Sequence, residues 1–388
     1  MSNAPHFSIN LTSFVKDPYP YLKQMQLIAP ISYVPELDAT LLTLRNDIFV
    51  NEKKTHIFSS LQPDGLMSQL MGENMMRKDG HAHLIERKAI FPTVSPKTVR
   101  DVWKSQFVEN TKAIIHNIKN NKKADLMTEI AMPASAHMLK VMTGLTNMAD
   151  EEMDRTSQGM IDGCSNYIGD PQITANCNNC TDSIDQHITD KLKNRLNDED
   201  LSLLAVQIKA GLSMPKVRAN IKLAISGGQN EPRDAISGAI ATILKHPKQL
   251  KLVREKKCSW MQVFEEYARW MSPIGMSPRR IAKEYSYSNI NFEVNDRVFL
   301  MFGAANRDPN IFSHPEKFNI TRNCKDSIAF GAGPHFCAGA WASKALITEV
   351  VLPLIFDMLP NLRLNPVYPI EYTGWAFRGP LAVNVIWD

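Results

Sequence analysis

Apolar positions recur at helical spacing through most of this chain, and at the two-residue spacing of strands only near its start, past residue 285 and at its end. Asp17-Pro18-Tyr19-Pro20 is a helix-starting signal, and Tyr21 to Ile28 continues it amphipathically. Ile31-Ser32-Tyr33-Val34 and Thr40-Leu41-Leu42-Thr43-Leu44 predict two strands joined by a turn at Glu36 to Ala39. A helix is predicted from about His81 to Ile90, stopping near Pro92, and longer helical patterns follow at 98–120, 125–144, 149–165 and 182–196. Met214 to about Leu244 is helical in pattern but contains Gly227, Gly228 and Pro232. A proline removes a backbone donor and clashes with the preceding turn, so this stretch is expected to be kinked or not one helix. Tyr285 to Val298 predicts strands with a turn at Glu293 to Asp296, and Asn306 to Thr321, with Pro309 and Pro315, predicts a long ordered loop. Ala338 to about Met358 predicts an apolar helix, and Ala382 to Trp387 a last strand. With no internal repeat, low-complexity tract or linker, the expectation is one mainly α domain with a small β part, spanning 1–388.

Composition narrows the function classes. A chain of 388 residues, 44% hydrophobic and 22% charged, can bury a sizeable core without disulfides. A net charge of +4 with no dense Lys/Arg run gives no footprint for nucleic acid. The start, Met-Ser-Asn-Ala-Pro-His, lacks the pattern of a signal peptide, and nowhere do about 18 apolar residues run together, so a cytoplasmic protein without a membrane span is expected. Six cysteines are scattered, as in a reducing compartment. Cys177-Asn-Asn-Cys180 has the spacing of half a zinc site, but no second pair follows, and its Asn- and Thr-rich surroundings predict a polar loop with incidental thiols.

The segment richest in chemistry is Phe330-Gly331-Ala332-Gly333-Pro334-His335-Phe336-Cys337-Ala338-Gly339. Glycines let a backbone turn tightly and approach a flat ligand, and the helix predicted just after Cys337 favours a thiolate there. A buried structural cysteine is the bland alternative. The pattern F-x-x-G-x-H-x-C-x-G resembles the haem-binding loop of the cytochrome P450 family, and two further segments agree with it in order. Glu266-Tyr267-Ala268-Arg269 is similar to the family's E-x-x-R, and His83-Leu84-Ile85-Glu86-Arg87 to its H-x-x-x-R. The resemblance runs over essentially the whole chain.

It implies the P450 fold, with haem b (iron protoporphyrin IX) buried between the long distal helix and the cysteine-loop helix and Cys337 as the metal ligand. Phe330, Gly331 and Gly339 shape the haem loop. His83, Arg87, Arg279 and His335 would meet the haem propionates, with Arg280 an alternative to Arg279. Glu266 and Arg269 would be structural, with Arg307 completing their network. No flavin or iron–sulfur region is attached, so electrons would come from a separate ferredoxin and reductase, or an iron–sulfur flavin reductase, with O2 as co-substrate. Lys88, Lys97, Arg100 and Lys104 would form a basic patch that steers an acidic partner.

The chain also departs from the family. Most members carry an acid followed by Thr on the distal helix, and this pair delivers protons for oxygen activation. Here the run is Ser226-Gly227-Gly228-Gln229-Asn230-Glu231-Pro232-Arg233, and alignment on Gly228 puts Asn230 at the acid and Glu231 at the Thr. Glu231 would then relay protons while Asn230 holds a water. The Glu231-Pro232 pair, with Gly374-Trp375-Ala376-Phe377-Arg378-Gly379-Pro380, is similar to the bacterial subgroup that O-demethylates methoxyphenols such as guaiacol. The substrate pocket would be lined by Met67, Leu70, Met71, Ile225, Gly228, Ile274, Gly275, Trp375 and Phe377. Competing readings are a peroxide-driven peroxygenase, a terpene or fatty-acid hydroxylase, and a non-catalytic haem-binding protein.

Overall fold

The computed structural model describes residues 2–166 and 169–388. These residues fall into two compact units. The first combines 1–61, 237–337 and 366–383; the second combines 62–236, 338–365 and 384–388. Because each unit is assembled from separated stretches, no linker marks them in the sequence.

In the first unit, Asn10 caps the helix Leu11–Lys16 by accepting the Ser13 N–H, and prolines open the helix Tyr19–Ile28. The strands Ile31–Val34 and Ala39–Leu42 pair antiparallel, with Asp38 in left-handed backbone at the turn. They continue into a five-stranded sheet through Arg297–Leu300, Ser277–Ile281 and Phe58–Ser59. Two-residue alternation sends Leu42, Val298 and Leu300 to one core with Ile48, Phe58 and Phe292. Leu41, Phe299 and Met301 go to another core with Phe14, Leu22 and Met25. Both faces are therefore buried, and the strands read as continuous apolar runs.

The second unit is mostly helical, with a small sheet of Lys123–Asp125, Asn384–Ile386 and Arg363–Leu364. The helix Gly80–Val94 runs past Pro92, where the sequence predicts a stop. The helix Pro171–Leu192 begins 11 residues before the predicted 182 and takes in Cys177 and Cys180, which are fully buried helix residues and not part of a polar loop. Their thiols lie against glycines of the helix Asp150–Cys164. A Cβ on Gly163 would sit 2.5 Å from the Cys177 sulfur, and one on Gly159 2.4 Å from the Cys180 sulfur. The small residues thus serve close helix packing. Met214–Lys245 is one continuous helix despite Pro232. The carbonyl that the proline leaves without its usual donor is that of Gly228, one turn back. No described helix is long and apolar enough to cross a membrane.

Candidate functional site

Ile328 to Cys337 forms a tight loop. Gly331 (φ +72°) and Gly333 (φ +66°) adopt left-handed backbone, which favours glycine. The Gly331 N–H donates to Ile328 O at 2.9 Å, and the Cys337 N–H closes the loop onto Phe330 O at 2.9 Å. The Phe330 ring packs between Phe264 and Phe336. Cys337 is left exposed at the loop's end, and a helix starts at Ala340 with Gly339 at its N-cap. Other thiols are poor candidates for a thiolate. Burial pushes Cys164 and Cys324 up to about 12 and Cys177 up to about 11. Among the described residues, no group of three or more His, Cys, Asp or Glu could hold a metal ion.

A buried charge network pins the chain that leads to this loop. Glu266 and Arg269 are both fully buried and form a two-pronged pair with 2.7 Å contacts. Arg269 also donates to Asn306 O and Pro315 O, and Glu266 accepts the Asn319 N–H at 2.8 Å. The expected third member, Arg307, does not join them. Its guanidinium lies 3.4 Å over the Tyr19 ring and donates to Trp270 O. Arg322 completes the network instead, reaching Glu266 at 3.2 Å and the Ser313 carbonyl at 2.6 Å.

His83 is buried and Arg87 half-buried on Gly80–Val94, while Glu86 between them turns to Lys78 (2.5 Å) and Asn220 (2.9 Å). His335 meets Ser60 at 3.1 Å. Arg279 is buried, with Glu52 at 3.4 Å and Ser277 Oγ at 2.5 Å. Strand alternation places Arg280 on the opposite, more open face.

On the long helix, Ser226, Gln229, Asn230 and Arg233 are turned toward Asp150–Cys164. Ser157 donates to the Ile225 and Ser226 carbonyls, Gln229 and Arg233 meet Asp154 at 2.9 Å, and Asn230 meets Gln158 at 3.4 Å. The opposite face, Ala224, Gly227 and Glu231, is more open. A Cβ on Gly227 would touch nothing within 4 Å. Glu231 is half-buried, yet its Oε2 is shielded and has no hydrogen-bond partner among the described residues. Burial pushes its carboxyl up to about 8, reinforced by Asp234 and opposed by Arg233.

The Cytochrome P450 family model matches residues 260–344, which contain both Glu266–Arg269 and the cysteine loop. Over that segment the chain resembles the cytochrome P450 family. It is 23% identical to pulcherriminic acid synthase of Bacillus subtilis (strain 168), over 98% of each chain. To the steroid C26-monooxygenase of Mycolicibacterium smegmatis it is 25% identical, over 86% of this chain and 84% of that one. The solved structure of P450BioI, in complex with hexadec-9Z-enoic acid ligated acyl carrier protein, covers 97% of this chain and all of its own at a TM-score of 0.87 and 19% identity, which carries the fold. The protein is a haem-thiolate P450 monooxygenase and takes haem b. The cysteine loop fits that group: Cys337 is exposed at the end of a loop closed by the left-handed glycines Gly331 and Gly333.

Several residues expected to line the substrate pocket make packing contacts in the fold. Met71 is buried and touches the Cys164 sulfur at 3.6 Å, and Leu70 packs at Gly163. Ile225 is fully buried, and a Cβ on Gly228 would strike Leu139. Trp375 stacks into a core with Phe14 (5.4 Å) and Phe299 (5.8 Å). Gly275 is required by backbone approach, since its N–H meets Ala376 O at 2.8 Å and a Cβ would overlap Trp375 O; Ile274 bridges to Phe377 beside it. Met67 is left half-exposed. Sequence reasoning missed Gly227, whose signal was a second glycine beside the one used for alignment. It also missed Arg322, which lies in a loop with no periodic pattern to single it out.

Proposed function

We propose that Cys337 is the iron ligand and that this P450 inserts one atom of O2 into a small aromatic substrate, with O-demethylation of a methoxyphenol such as guaiacol as the outcome. The haem, when bound, supplies the oxygen chemistry, and a thiolate ligand donates electron density that favours O–O cleavage. His83, Arg87 and His335 bind its propionates, with Arg280 in place of Arg279, whose guanidinium is engaged by Glu52. The single observation that carries the oxygen-dependent reading is Glu231. Its carboxyl holds a proton near neutral pH and its shielded Oε2 has no hydrogen-bond partner among the described residues, so it takes the proton-delivery role of the family's missing acid and alcohol. Asn230 donates to Gln158 at 3.4 Å, while its Oδ1 has no hydrogen-bond partner among the described residues.

In the demethylation, one oxygen atom enters the methoxy carbon, and the hemiacetal breaks to formaldehyde and a phenol. The other atom leaves as water after uptake of two electrons and two protons. The electrons come from a separate ferredoxin and reductase, or an iron–sulfur flavin reductase. The substrate class rests on Glu231-Pro232, because Gly374 and Trp375 of the second motif are accounted for by packing: a Cβ on Gly374 would overlap Phe377 O. NADH-driven turnover of guaiacol with such a reductase should release formaldehyde and catechol in equal amounts. Glu231→Gln should bind guaiacol and consume NADH but leak peroxide. Normal coupling in that variant would exclude the relay, turnover with peroxide alone would favour a peroxygenase, and binding shifts only with terpenes or fatty acids would exclude the methoxyphenol class.

A further inference from the structure

Glu52 is 1% exposed and sits at the C-terminal end of the helix Arg45–Asn51. A carboxylate there is opposed by the helix dipole and by burial together. Burial pushes its carboxyl up to about 7, with Arg279 and the Ala332 N–H pulling the other way. A sequence selected for folding alone has no use for an acid at such a place. Its partners show what the acid holds. Oε2 accepts the Ala332 N–H at 2.8 Å, between the two left-handed glycines of the cysteine loop. Oε1 faces Arg279 at 3.4 Å, and a Cβ on Gly331 would come within 3.1 Å of it. The next residue, Lys53, packs against Gly333, with its ammonium 3.3 Å over the Phe49 ring. Two consecutive side chains thus grip both glycines.

We propose that Glu52 is a positioning residue for the cysteine ligand: its carboxylate fixes the loop through Ala332 and, paired with Arg279, sets the charge balance beside the thiolate. This rests on Cys337 being the iron ligand. The variants separate shape from charge. Glu52→Gln keeps an oxygen for the Ala332 N–H but removes the negative charge opposite Arg279. Positive charge near the haem favours the reduced state.

In haem-loaded protein, Glu52→Gln should keep the thiolate-type absorption of the ferrous carbon monoxide complex and shift the haem reduction potential upward. Glu52→Ala should lose part of that thiolate band to the protonated-thiol form, because the loop loses its anchor. An unchanged potential in Glu52→Gln overturns the proposal even where Glu52→Ala fails to fold. Absence of the thiolate band in the unmodified protein overturns the ligand assignment itself, and this inference with it.

Discussion

A carboxyl held protonated inside a fold makes stability depend on pH in a definite direction. Glu231 has its carboxyl raised to about 8 by burial, against an ordinary value of 4.5. Between those values the unfolded chain has given up the proton that the folded protein keeps, so stability falls as pH rises through this window and levels off above about 8. Glu231→Gln removes the dependence. Its melting temperature should match the parent's near pH 4.5 and exceed it increasingly toward pH 8, by an amount equivalent to a few kcal/mol at most (about 1.4 kcal/mol per pKa unit). A parallel pair of curves would mean that Glu231 is ionised in the folded protein. The two arginines of the loop segment make a second test. Arg322 contacts buried Glu266 whereas Arg307 stacks on Tyr19. Removing one partner of a buried pair costs roughly 3–5 kcal/mol, but a cation–π contact is worth about 0.5–2 kcal/mol. Arg322→Gln should therefore lower haem retention and melting temperature well beyond Arg307→Gln, and the reverse order would contradict the assignment. Charged pairs at fixed helical spacing, such as Glu266 and Arg269, were legible in the sequence. Arg322 was not, because a loop has no period to show which cation turns inward.

Helix positions were read well where an apolar stripe was continuous and poorly where small or polar residues did the packing. Cys177 and Cys180 sit among asparagines and threonines, which read as loop, yet the glycines opposite let two helices meet there. Pro92 read as a helix stop and Pro232 as a kink or break, and both helices run through them. Tertiary packing overrides local propensity in each case. Gly163 gives a direct test. A methyl group there would lie 2.7 Å from the Cys177 Cβ, which cannot rotate away. Gly163→Ala should destabilise by about 1–3 kcal/mol in denaturant unfolding. Gly227→Ala, where nothing lies within 4 Å, should instead cost no packing energy and alter substrate-induced spectral shifts. Equal loss of stability in both would contradict the distinction between a packing glycine and an open one.

Across the whole chain, the family resemblance placed the long helix and the cysteine loop, because each is tied to a motif, while the strands were read from their alternation. The two units were not legible, since they interleave in sequence. The basic patch proposed for an electron donor is weaker than the sequence suggests. Arg100 pairs with Asp101 and Lys104 with Glu349, while Lys88 and Lys97 are exposed. Lys88→Glu should slow reduction by an acidic ferredoxin more than Arg100→Glu does, and the gap should close as salt screens it; rates indifferent to ionic strength would remove electrostatic steering. All of these expectations depend on the iron ligand, and that is read most directly from the absorption spectrum of the reduced, carbon monoxide-bound protein. The unmodified chain should show the thiolate-type band and Cys337→His should lose it while still binding haem; persistence of that band in Cys337→His would contradict the account.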